Sequence, residues 1–130
     1  MKKFVTMLLV LVMVLSLAAC GGSDGLTVEK GKLHMSTNAE FPPYEMVTND
    51  GGFEGIDVEV AGLIAEKMGL ELVVDDMGFT AALEAVQNGK SDIAMAVITV
   101  NEERKANMDF SDSYATGIQV VIIKADSPAV

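Results

Sequence analysis

From Leu33 onward short apolar runs alternate with stretches of helical periodicity, and this alternation restricts the chain to an α/β fold built on a parallel sheet. Leu33 to Ser36 reads as a first strand. Asp57 can cap a helix running to about Met68, with Val60, Ala61, Ile64 and Met68 on one face and Gly69 as its terminator. Glu71 to Asp75 reads as the next strand. Thr80 can cap a second helix ending at about Asn88 and Gly89, and Ile93 to Val97 reads as a buried strand of the parallel type. Asn101 caps a short third helix, and Gly117 to Lys124 reads as a last strand. The order β, α, β, α, β, α, β implies right-handed crossovers. Between the first strand and the first helix lies the loop NAEFPPYE, where Pro42 and Pro43 are expected to forbid regular pairing. Asn49, Asp50, Gly51 and Gly52 tolerate positive φ and predict a hairpin turn.

The first thirty residues are of another kind. Lys2 and Lys3 precede an apolar run from Phe4 to Leu17 that only Thr6 and Ser16 interrupt. Against the ~20 residues that a membrane span needs, this run is short, and small residues close it, as in a signal peptide over residues 1–19. The last of the closing residues Leu17, Ala18, Ala19 and Cys20 is the only cysteine in the chain. One Cys cannot form an internal disulfide, so a buried or redox thiol is one reading. The other is better motivated: LAAC resembles a bacterial lipobox, which implies cleavage before Cys20 and its lipidation. Acyl chains at ~0.8 kcal/mol per buried methylene hold a protein stably on a membrane. Gly21, Gly22, Ser23, Asp24 and Gly25 then read as flexible tether, within a segment spanning 20–30.

The charge balance excludes one class of partner. The chain holds 9 Lys plus Arg against 19 Asp plus Glu, a net charge of −10, and loss of Lys2 and Lys3 with the leader leaves −12. Nucleic acid binding needs a basic footprint and is not expected. His34 is the only histidine, so no metal site is expected. Asp75 with Asp76 and Glu102 with Glu103 read as solvated surface. There is no GxxxxGK[ST] phosphate loop and no nucleophile elbow, so no catalytic residue or cofactor is assigned and an ATPase would have to be another chain.

In open α/β sheets ligands bind outside the carboxyl ends of the strands, where strand order reverses. The loops leaving those ends are NAEFPPYE, MGF and ITVNEER. The third is the most informative. Thr99 brings a hydroxyl, Asn101 begins a helix, and Arg104 lies three residues into it. Unsatisfied backbone N–H groups, the helix dipole and a guanidinium together favour a carboxylate. Taken alone, an Arg at the position of Arg104 is more often a solvated helix charge paired with Glu or Asp than a ligand grip. Phe41 and Phe79 follow strands and are either core residues or apolar walls of a pocket.

The segments STNAEFPPYE, GGFEGIDVEVAGLIAEKMG, ALEAVQNGKSDIAMAVIT and EERKANMDFSDSY resemble, in order and spacing, the polar amino-acid-binding family of extracellular solute-binding proteins, family 3, over about residues 31–130. The resemblance implies a type II-like periplasmic-binding-protein fold of two α/β lobes closing on the ligand. Residues 31–124 would then be a first, incomplete lobe, 125–130 the start of the hinge or second-lobe segment, and the second lobe would lie outside this chain. It implies an amino-acid receptor of an ABC importer rather than an enzyme, held by Cys20 to the outer face of the cell membrane or facing the periplasm, with a membrane permease as partner. Carried over by position, Arg104 resembles the grip on the ligand's α-carboxylate, with the Thr99 hydroxyl and N–H beside it. The Ala96 carbonyl resembles a partner of the α-ammonium, and Phe41 and Phe79 resemble the walls around the side chain. Asn38 stands where an acid is frequent and leans toward a polar or neutral amino acid. Val97 replaces Gly or Ser, though its backbone can still serve; Val100 stands where Pro or Ile is frequent, and Ser113 where Pro often follows the DFSD motif. Cyclohexadienyl dehydratases resemble the same fold, and a ligand-binding sensor is a third alternative. Residues 1–130 alone are expected to bind weakly or not at all.

Overall fold

A computed structural model describes residues 25–118 and 120–125, so Cys20, the leader and residues 126–130 lie outside the described residues. The elements run β1 (Lys32–Thr37), β2 (Glu40–Phe41), β3 (Glu45–Val47), β4 (Phe53–Glu54), α1 (Ile56–Met68), β5 (Glu71–Asp76), α2 (Phe79–Gln87), β6 (Ile93–Ala94) and α3 (Glu102–Lys105). They fall into two compact units, one ending at Thr99 and the other starting at Val100.

In the first unit β1 is the centre of a three-stranded parallel sheet of order β5-β1-β6. Successive residues of a strand face opposite sides. Met35 is fully buried and clusters with Ala61 of α1 and with Met95, flanked by Val58, Val60, Leu72 and Ile93. Removing a side chain of that size from water contributes roughly 1.5–3 kcal/mol. Its neighbour Ser36 faces the other way, and its hydroxyl donates to the Ala82 carbonyl of α2 at 2.9 Å. The two helices therefore cover opposite faces, as right-handed crossovers to either side of β1 require. Both pack through small buried residues, Ala61 and Ala65 on α1 and Ala82 and Ala85 on α2, which let the helices lie close to the sheet. α1 stops at Gly69, whose φ of 68° is left-handed. The Gly69 N–H bonds to Glu66 O and that of Leu70 to Ala65 O, the paired closure of a Schellman motif.

Several expectations need correction. Asp57 is not the cap of α1. That position is Gly55, without a side-chain cap bond. The Ile56 and Asp57 N–H groups instead meet the carbonyls of Pro43 and Tyr44 at 3.1 and 2.9 Å, and Asp57 turns inward and is fully buried. Thr80 is not the cap of α2 either: Gly78 is, and the helix begins at Phe79. The strand expected over Ile93 to Val97 covers only Ile93–Ala94, and at Val97 a φ of 49° leaves the extended region. Pro42 and Pro43 do not prevent pairing around them. They form the turn between β2 and β3, closed by Tyr44 N–H to Phe41 O at 2.9 Å, and β3 pairs on with β4 through the expected turn at Asn49–Gly52.

In the second unit Asn101 caps α3 as its sequence predicts, accepting from the Arg104 N–H at 2.9 Å. The strand expected over Gly117 to Lys124 is absent among the described residues, and Ile118, Val121 and Ile122 are all more than 80% exposed. An apolar, β-branched run becomes a strand only where a neighbour satisfies its backbone groups.

Candidate functional site

Because β1 has β5 on one side and β6 on the other, strand order reverses at β1 and a crevice is expected beyond its carboxyl end. Backbone bonds hold the loops there side by side. Met77 N–H donates to Thr37 O at 2.9 Å, and Met95 N–H to Ser36 O at 3.1 Å. Ala39 N–H donates to the Asp76 carboxylate at 2.9 Å. Asn38 opens the loop after β1, Phe79 follows the loop after β5, and Ala96, Val97 and Thr99 lie just past β6, so these five begin at one end of one sheet. Thr37, at the tip of β1, is fully buried, and its hydroxyl has no hydrogen-bond partner among the described residues.

The expected residues differ in exposure. Ala96 is buried, Asn38, Phe79 and Val97 are half-buried, and Thr99 is exposed. Phe41 sits on β2 and is 56% exposed, with its ring 6.3 Å from that of Tyr44, so it is not a core residue. Arg104 belongs to the second unit, half-buried on α3, where the Asn101 cap orders its backbone.

Two residues of this region escaped the sequence reading. Glu45, which opens β3, and Asp57 are both buried within the first unit. Burial first, then the charge of Asp57 and a hydrogen bond to it, push the Glu45 carboxyl up to about 8. Asp57 accepts from the Val97 N–H at 3.3 Å, and Glu45 Oε2 has no hydrogen-bond partner among the described residues.

A second polar cluster lies along α2. His34 of β1 meets Asp75 through Nδ1 at 2.8 Å and Glu29 through Nε2 at 3.3 Å, and Lys32 meets Glu29 at 2.7 Å. The Asp75 hydrogen bond, followed by that of Glu29, raises the His34 pKa against the opposing effect of burial. Asp92 accepts from the N–H groups of Val28 and His34 at 2.6 and 2.7 Å, tying the segment before β1 to the sheet. A cleft of about 470 Å³ runs here, lined by His34, Asp75, Met77, Glu84 and Lys90 among others. It lacks the loops after β1 and β6, so it is not the crevice expected at the switch point. Among the described residues no three His, Cys, Asp or Glu are grouped to hold a metal, and no helix is long and apolar enough to cross a membrane.

A family model described as bacterial extracellular solute-binding proteins, family 3, matches residues 33–130. The arginine-binding extracellular protein ArtP of Bacillus subtilis is 37% identical over 128 residues, which are 98% of this chain and 50% of that protein. A cyclohexadienyl dehydratase of Pseudomonas aeruginosa is 33% identical over 67% of this chain and 32% of its own length. The chain thus spans half or less of the curated relatives it matches. Among solved structures, the arginine-bound form of domain 1 from TmArgBP is 38% identical with a TM-score of 0.63, covering 65% of this chain and 68% of that one.

Proposed function

The chain belongs to the bacterial extracellular solute-binding proteins, family 3, and from that premise we propose that it is the first lobe of an amino-acid receptor serving an ABC importer. One observation carries this: the family match spans residues 33–130, a range that includes the turn after β6 and Arg104, where the carboxylate grip is expected. Arg104 and Thr99 bind the α-carboxylate, the Ala96 carbonyl takes the α-ammonium, and the Val97 backbone lies between them. Phe41 and Phe79 wall the side chain, with Asn38 at its end. Ligand contacts from both lobes then favour the closed form that the permease recognises. The protein is exported and lipid-anchored through Cys20.

Two features bear on the ligand's side chain and pull apart. The amide of Asn38 favours a neutral polar group, whereas the relatives named for arginine favour a cation. Domain 1 of a relative has an arginine-bound form, which supports binding by the isolated lobe rather than none. The match to a dehydratase favours one second reading, an enzyme on the same fold. A thermal-shift screen of the whole protein against the standard amino acids, paired with a prephenate turnover assay, tests both. Stabilisation by at least one amino acid without turnover supports the receptor. No shift with any of them sinks it, and turnover of prephenate decides for the enzyme.

A further inference from the structure

Beneath the turn that follows β6, two acidic side chains from different elements are buried against each other. Glu45 of β3 is 1% exposed, and Asp57, in the first turn of α1, is fully buried. Near neutrality Glu45 keeps its proton, held by burial and by Asp57, and donates it to the Asp57 carboxylate. The acids on the flanking elements, Glu40 on β2, Glu54 on β4 and Glu59 on α1, are exposed. Asp57 in turn accepts from the N–H of Val97, whose φ of 49° is a conformation that a β-branched residue adopts only where its surroundings impose it.

We propose that Asp57 and Glu45 are positioning residues for the ligand-binding turn from Ala96 to Thr99: Asp57 anchors the Val97 backbone in its left-handed conformation, and Glu45 anchors Asp57. This rests on the receptor reading, which is what gives the turn a ligand. The chain of contacts runs from hairpin to helix to turn, so it couples the turn to the β2–β4 sheet without either acid touching the ligand. Its weak point is the proton. Once Glu45 ionises, two negative charges share a buried site, Asp57 is driven from the Val97 amide, and the turn loosens.

The test follows the whole protein from about pH 6.5 to about pH 9.5, reading two quantities. One is affinity for L-arginine and L-glutamine by calorimetry; the other is the hydrogen-exchange protection factor of the Val97 amide without ligand. Affinity and protection are both expected to fall about tenfold as pH rises through the Glu45 value of about 8. Glu45→Gln, whose amide donates to Asp57 but cannot ionise, flattens both profiles. Asp57→Ala removes Val97 protection at every pH. A Glu45→Gln profile as steep as the parent's, or Val97 protection that stays constant through pH 8, overturns the proposal. If neither amino acid binds the parent protein at any pH, the receptor reading fails for those ligands, while the Val97 amide still decides the positioning role.

Discussion

Gly55 lies so close to the Tyr44 carbonyl that a Cβ added to it would stand 2.2 Å from that oxygen. This contact docks the start of α1 on the end of the turn through Pro42 and Pro43, and so brings Asp57 inside. Gly55 also has a φ of 128°. Gly55→Ala therefore combines backbone strain with a collision against main chain, and should destabilise by about 3 kcal/mol or more. Gly69→Ala is the control. Its φ of 68° is also left-handed, but an added Cβ meets nothing within 4 Å, so about 1 kcal/mol is expected. Urea denaturation of the two variants checks the order.

His34 should make stability pH-dependent. Its folded pKa is raised above 6.5, first by Asp75 and then by Glu29. The folded protein therefore binds the proton more tightly than the unfolded chain does. The resulting stabilisation is fully present below about pH 6.5 and is lost as pH rises through the higher folded value. His34→Gln should remove that part of the slope, so that parent and variant diverge at acid pH and converge at alkaline pH. Denaturation series at both ends of the range read it, and parallel curves would show that the contacts with Asp75 and Glu29 carry no such linkage.

Asn101 holds the first turn of α3 by accepting from the Arg104 N–H. Asn101→Ala should cost about 1 kcal/mol of local order. The measurement is amide exchange at Arg104, expected to speed up several-fold while β1 amides keep their protection.

The fold was legible where a local rule acts alone. Leu33 and Met35 alternate, Gly69 ends α1, the Asn49–Gly52 turn pairs β3 with β4, and Asn101 caps α3. What the sequence hid is non-local. Asp57 reads as a cap by its chemistry, but Pro43 and Tyr44 supply the carbonyls that α1 needs, which turns the carboxylate inward to Glu45 and Val97. The apolar run after Gly117 has strand propensity, yet no described neighbour pairs with it. At the candidate site, Asn38 and Phe79 follow strands that end close to where local pattern puts them, whereas Ala96 and Val97 were expected inside the third strand and lie past its end. The left-handed φ of Val97 had no signal in residue type, since valine is among the least suited to it.

If Arg104 grips the α-carboxylate of a bound amino acid as proposed, the protein must distinguish that amino acid from the same molecule lacking its carboxylate. The pair is L-arginine and agmatine, or the equivalent pair for whichever amino acid binds best, titrated calorimetrically into the whole protein and its Arg104→Gln variant. The expected result is that the parent binds the amine at least about 100-fold more weakly than the amino acid, and that Arg104→Gln removes most of that difference. Equal binding of the two ligands by the parent, or full discrimination surviving in Arg104→Gln, would contradict it.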